Sequence, residues 1–319
     1  MVKIFDNNAR KFLSNAGWGD AAAEPITGDA SVRKYFRLRR SRQTAVLMDA
    51  SQNQDSVPPY IRINEHLQEL GFSAPNILAR NEERGLLLLE DFGDDIFFRL
   101  LEKAGDAEML YTLATDVLIA LHQHPRAIPG DLLEYHPEKM LADIELYLEW
   151  CTPEISDTGR AEFRKAWREV LPLAHGVPAS LLLRDYHVSN LMWLPGREGI
   201  RQVGLLDFQD AYQGPITYDL MSLLEDARRD VPDKLREKML ARYLTRFPRL
   251  YWKAFETSMA ILAALRHTRV LAIFERLSRQ DKKHHYKKLH SPRVERLLQR
   301  ALRHPMLADV KRWMERYAR

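Results

Sequence analysis

LLLRDYHVSNLMW, residues 181–193, sets Arg, Asp, His and Asn between two apolar runs. Leu181 to Leu183 and Leu191 to Leu194 read as strands. Charged side chains beside such strands are costly unless they are paired or used in chemistry. The turn PGREG, residues 195–199, joins the second run to Val203–Leu206 and makes a hairpin. A hairpin returns the chain to its start, so Asn190 at its opening and Asp207 at its close are expected near each other. A carboxamide and a carboxylate are hard oxygen ligands. They suit Mg²⁺, which keeps several waters and binds substrate phosphates. Asp185, five residues before Asn190, is placed to accept a proton from a hydroxyl aimed at that metal. Alone, Asp185 could equally cap a turn; the joint spacing with Asn190 and Asp207 favours chemistry.

Upstream, the texture is mostly that of strands. An amphipathic helix over 3–16 precedes strands at Glu24–Thr27, Tyr35–Arg39 and Thr44–Met48. The turn GDASVRK, residues 28–34, joins the first two. Pro58-Pro59 opens a helix near Tyr60–Leu70 that Gly71 stops. Two more strands follow, Asn76–Arg80 and Gly85–Glu90. Then EDFGDD, residues 90–95, reads as a linker. Helices follow at about 96–103, 107–123, 137–150, 158–170, 216–227, 233–245, 251–277 and 291–302. The expected fold class is therefore α+β, with a small antiparallel β lobe over 1–89, a hinge at 90–95 and a larger, mainly helical lobe over 96–319.

The bulk composition fits that picture. A 319-residue chain with 45% hydrophobic residues can bury a substantial core in two lobes. Its one cysteine, Cys151, rules out an internal disulfide and a Cys-rich metal site, and suits a reducing compartment. The N-terminus MVKIFDNNARKFL has no apolar signal region. The longest apolar run, Met259–Phe274, is interrupted by Arg266, His267 and Arg269, so a cytoplasmic protein without a membrane span is expected. The net charge of +4 is uneven. Residues 276–319 carry fourteen Lys/Arg against four Asp/Glu. That tail has no aromatic stacking series and no nucleic-acid motif, so solvated helices are expected there rather than a nucleic-acid partner.

Asp-x-x-x-x-Asn, then a hairpin, then an apolar residue and Asp, resembles the catalytic core of protein-kinase-like folds. LLLRDYHVSNLMW with VGLLDFQDA is similar to the aminoglycoside phosphotransferase family. GDASVRKYFR, AVLMDA, LLLLEDFGD and YDLMSLLEDARRDV narrow the resemblance to bacterial kinases of the anomeric hydroxyl of N-acetylmuramate and N-acetylglucosamine. These stretches span residues 28–231. The resemblance implies a two-lobe kinase-like fold, ATP and Mg²⁺, a small sugar acceptor, and a place in peptidoglycan recycling as a monomer or weak dimer. It implies Asp185 as catalytic base and Asn190 and Asp207 as metal ligands. Gly28, Ser31 and Arg33 would line the phosphate loop, and Glu90 would stand in the hinge that meets adenine. Asp219 would hold the catalytic loop.

The sequence departs from the kinase pattern in one place. Met48 stands where the third strand normally carries Lys, yet phosphate charge needs a cation. Alternation puts Arg33, Tyr35 and Arg37 on one face, which makes Arg37 a candidate replacement with Glu65 as partner, and Arg33 the next. Gln209 and Asp210 could contact sugar hydroxyls or finish a turn. Arg228 could meet a substrate carboxylate or simply stabilise a helix end. His187 and Arg184 read as supports of the loop. Two alternatives stay open: a phosphotransferase for an aminoglycoside, choline or another sugar, and a non-catalytic nucleotide-binding regulator.

Overall fold

The structure, a computed structural model, describes residues 5–26, 32–103 and 105–318. Gly28 and Ser31 lie outside the described residues. The chain gathers into two compact units. The first is Met1–Leu113 with Ser189–Asp210; the second is Ala114–Val188 with Ala211–Arg319.

The first unit is built on an antiparallel sheet of β1 (Ala22–Ile26), β2 (Lys34–Arg40), β3 (Gln43–Asp49), β4 (Ile77–Asn81) and β5 (Leu86–Glu90), in the order β1-β2-β3-β5-β4. Alternation decides its faces. Phe36 and Leu38 of β2 join Leu47, Leu86 and Leu88 in one core. The helix α1 (Asn7–Asn15) covers that core with Phe12 and Leu13. Asp6 caps α1 by accepting from the Ala9 N–H at 2.8 Å. Leu38 is fully buried, so Leu38→Ala would cost roughly 2–5 kcal/mol. Tyr35 and Arg37 point to the opposite face, where Met48 pairs across from Tyr35. The helix α2 (Val57–Glu69) takes its prolines in the first turn, where no N–H is missed, and ends before Gly71 at φ +85°.

A hairpin of β7 (Leu191–Trp193) and β8 (Val203–Leu205) belongs to this unit rather than with the later helices. Its backbone is bonded into it: Leu205 N–H donates to Ser73 O at 2.8 Å, and Trp193 N–H to Asp95 O at 2.7 Å. Gly204 has to be glycine because a Cβ there would lie 2.7 Å from the Phe92 ring. The short α3 (Phe97–Glu102) also belongs here. The two units therefore divide the chain differently from the expected segments 1–89, 90–95 and 96–319.

The second unit is helical, and α4 (Ala107–Gln123) contains its first boundary. Its axis is α9 (Trp252–Arg279), against which α5 (Pro137–Trp150), α7 (Thr217–Leu224) and α10 (His284–Ala301) pack. By length and composition α9 could cross a membrane, but its apolar stretch is 72% buried, which is the pattern of a core helix. Here, too, lie α6 (Asp157–Val170), α8 (Asp233–Thr245) and α11 (Ala308–Tyr317). The helix α11 is absent from the expected elements; it packs Trp313 on Phe163 at 4.7 Å and donates its indole N–H to Gly159 O. The helix α10 starts at His284 rather than at the expected 291. Pro292 sits inside that helix, because Tyr286 packs on Phe274 and extends it upstream. Finally, β6 (Ala179–Leu182) pairs with β9 (Tyr212–Pro215), a strand whose Gly-Pro pair hides it. The strands on either side of RDYHVSN thus have different partners, and the stretch is not a hairpin turn.

Candidate active site

In the second unit, the chain leaves β6 and turns at Arg184, which adopts φ +68°. A non-glycine residue in this region is strained and has to be held. Asp219, in the first turn of α7, holds it: one carboxylate oxygen accepts from Leu183 N–H at 2.6 Å and the other from Arg184 N–H at 2.9 Å. Asp219 is buried. Burial pushes its carboxyl up to about 7, and the nearby Asp185 charge adds to this against the two N–H donors and Arg266. The Arg184 side chain is spent on the frame as well. It pairs with Asp143 and lies over the rings of Tyr135 and Tyr212 at 4.9 and 5.2 Å. Asp143 also accepts from Lys139 and from the Tyr135 hydroxyl.

Asp185 follows directly and is half-buried. Burial works against its charge, but His187, Arg269, Arg266 and Arg184 outweigh it and hold the carboxyl below the usual carboxylate range. His187 is buried and held down to about 4 by that burial and by Arg228, against Asp226 and Asp185. It is therefore neutral at pH 7, and the arginines keep Asp185 ionised there. An ionised, partly accessible carboxylate on a fixed loop can accept a proton from a hydroxyl.

In the first unit, the hairpin does bring its ends together: Leu206 N–H donates to Asn190 O at 3.1 Å. Asp207 turns sharply, at φ +60°, just beyond β8. Its Oδ1 accepts from Arg33 Nη2 at 2.5 Å and from Gln209 Nε2 at 3.1 Å. Phe208 is buried and stacks on Tyr60 at 5.0 Å, which fixes the direction of the turn. Burial and Asp207 raise the Tyr35 hydroxyl, against Arg33, to about 12. Met48 is fully buried, so the usual lysine position holds an apolar core residue. Arg33 is a cation that reaches Asp207. Its guanidinium already stands on Asp207 as a monovalent cation, so the carboxylate faces a place built for positive charge. One carboxylate and one carboxamide suit Mg²⁺, whose other ligands would be water and phosphate oxygen. Among the described residues, no three His, Cys, Asp or Glu side chains gather as an all-protein cage.

Arg37 does not pair with Glu65. It binds Asp91, Asp94 and the Gly93 carbonyl, while Glu65 pairs with Arg80 at 3.2 Å. Arg37 thus closes the 91–94 loop onto β2, where the acids of the loop outcompete a more distant helix. The Glu90 carboxylate binds the Asn76 side-chain amide at 2.7 Å and Arg197 at 2.5 Å, and the Glu90 N–H donates to Asn76 O at 2.8 Å, so neither its side chain nor its N–H is open to a nucleotide. Gln209 is buried, with its Oε1 lacking a partner among the described residues, and Asp210 is exposed. Arg228 Nη1 lies 3.4 Å from His187 Nε2. Sequence reasoning did not pick out Arg266, Arg269 or Asp143. The signal for the first two was present, since they are the charges that interrupt the apolar run of α9. Asp143 gave none, being one acid on an amphipathic helix.

The phosphotransferase enzyme family model matches residues 22–255. The chain is 34% identical to the N-acetylmuramate/N-acetylglucosamine kinase of Caulobacter vibrioides, over 96% of this chain and 94% of that one. It is 30% identical to the protein of the same description in Pseudomonas aeruginosa, over 92% and 89%. Among solved structures, it resembles ADP-bound aminoglycoside phosphotransferase APH(2'')-Ib, with a TM-score of 0.64, 17% identity and 95% and 99% coverage. It also resembles a choline/ethanolamine kinase family protein from Mesorhizobium loti, with a TM-score of 0.65, 14% identity and 96% and 99% coverage. These structural likenesses establish the protein-kinase-like fold.

Proposed function

We propose that this chain, which belongs to the phosphotransferase enzyme family, transfers the γ-phosphoryl group of ATP to the anomeric hydroxyl of N-acetylmuramate and N-acetylglucosamine. The acceptor follows from the shared description of the curated relatives, all of them kinases of these two sugars. The observation that carries the chemistry is the loop at Asp185, held by Asp219 at two backbone N–H groups and surrounded by arginines. Asp185 orients the acceptor hydroxyl and takes its proton as the new P–O bond forms and the bond to ADP breaks. Little covalent work is left to the protein, so positioning and charge neutralisation supply the rate. Asn190 and Asp207 would hold Mg²⁺, which neutralises phosphate charge. Arg33 serves in place of the missing lysine, and the hinge backbone near Glu90 receives adenine. Gln209, Asp210 and Arg228 would each contribute a polar group to acceptor recognition. Arg37 keeps the 91–94 loop in place. The product, a sugar 1-phosphate, suits cytoplasmic reuse of cell-wall amino sugars.

The test is an acceptor panel with ATP and Mg²⁺: N-acetylmuramate, N-acetylglucosamine, an aminoglycoside and choline. The expected result is ADP release with the two amino sugars alone, together with loss of the sugar's reducing end. Turnover confined to amines would overturn the reading. Buried Met48 favours one other reading, a nucleotide-binding regulator. It predicts ATP binding with no turnover on any acceptor.

A further inference from the structure

Two buried side chains of the second unit each leave a polar atom without a hydrogen-bond partner among the described residues. Arg266, on α9, is 4% exposed, and its Nη1 has no hydrogen-bond partner among the described residues. Asp226, just beyond α7, is 1% exposed. Its Oδ1 accepts from Arg228 N–H at 2.8 Å, and its Oδ2 has no partner among the described residues. Both side chains act on one neighbour: the charges of Asp226 and Arg266, with those of Arg228 and Asp185, fall on His187. A donor and an acceptor, each unmatched, thus stand around a residue two places from the proposed base. Leaving such an atom unmatched costs about 1–3 kcal/mol, and buried orphans of this kind call for an explanation such as a ligand that completes them.

The polarity of the two atoms narrows the ligand. A carboxylate would satisfy Arg266 and be repelled by Asp226. A hydroxyl offers both roles at a single oxygen. A secondary amide offers an acceptor and a donor on two atoms pointing opposite ways, which suits partners carried by two different elements. Resting on the amino-sugar kinase reading, we propose that Arg266 and Asp226 recognise the 2-acetamido group of the acceptor. Arg266 Nη1 donates to the acetyl carbonyl, and Asp226 Oδ2 accepts from the amide N–H.

A specificity ratio tests this, because effects common to all acceptors cancel in it. The quantity is kcat/KM for N-acetylglucosamine divided by that for glucose, in the wild type, Arg266→Gln and Asp226→Asn. Sites that hydrogen-bond a substrate reject analogues lacking the group because their own polar atoms stay unpaired. The ratio is expected to fall by about tenfold or more in each variant. The thermal stabilisation given by N-acetylglucosamine over glucose should shrink in parallel. An unchanged ratio in both variants overturns the proposal. So does a loss confined to N-acetylmuramate relative to N-acetylglucosamine, which would assign Arg266 to the lactyl carboxylate. If Arg266→Gln does not fold, Arg266→Lys and Asp226→Asn carry the same test. A wild type that phosphorylates neither amino sugar sinks the function reading itself, a result distinct from either variant outcome.

Discussion

The two proposed acids of the chemistry stand in opposite surroundings. Asp207, in the first unit, has a side chain 38% exposed and is neutralised by one guanidinium on a segment entering a strand. Asp185, in the second, sits on a braced loop among several arginines and a neutral histidine. The carboxylate of that pair is open enough for a metal to approach, although the Arg33 side chain that neutralises it is only 8% exposed. The cations around Asp185 are built into buried or half-buried helix faces and the loop itself. The first acid is arranged to exchange its counterion, and the second to keep its charge whatever binds.

The sharpest way to break that contrast is Asp185→Asn. It keeps the shape and removes the base, so turnover should fall roughly 10²- to 10⁴-fold with ATP affinity retained, as read by steady-state kinetics and nucleotide titration. A turnover within threefold of wild type would remove Asp185 from the chemistry. Next in size is Asp219→Ala, which leaves the Leu183 and Arg184 N–H groups buried and unmatched. We expect a stability loss of roughly 2–4 kcal/mol and a large loss of turnover. Asp116→Ala, which breaks a partly exposed bidentate pair with Arg242, should cost about 1 kcal/mol. Urea melts of the two variants compare the braced loop with an ordinary surface pair.

The contrast was only half visible in the sequence. Asn190 and Asp207 could be placed together because a hairpin is local: the turn and the alternating strands state the register. The surroundings of Asp185 come from α5, α7 and α9, and no local pattern pairs Asp143 with Arg184 across 41 positions. Arg37 shows the same limit. Alternation put it on the correct face, but its choice of Asp91 and Asp94 over Glu65 depends on how the 91–94 loop folds back. The strand β9 was missed because Gly214-Pro215 reads as a turn, and β6 supplies the pairing that overrides it.

His187 gives the second unit a pH signature. Its folded value of about 4 lies below the ordinary 6.5, so the unfolded chain binds the proton first as pH falls. The contribution of a neutral, buried His187 is present above pH 6.5. It is lost between 6.5 and 4, at up to about 1.4 kcal/mol per pH unit. Chemical melts from pH 7 to 4.5 should show that slope, and His187→Gln should flatten it by about one proton. An unaltered slope in the variant would mean that His187 is charged in the folded protein.

The smallest effect tests the exchangeable side of the contrast. Arg33 and the metal compete for one carboxylate, so Arg33→Gln should lower the half-saturating Mg²⁺ concentration. The shift should be at least about fivefold, since an exposed pair is worth about 1 kcal/mol and the Arg33 side chain is only 8% exposed. The same variant should raise the KM for ATP, because a cation near the phosphates is gone. These two shifts have opposite signs, which separates exchange from a simple loss of folding, where both would worsen. A Mg²⁺ requirement that rises in Arg33→Gln would show that the guanidinium holds Asp207 ready for the metal rather than standing in its place.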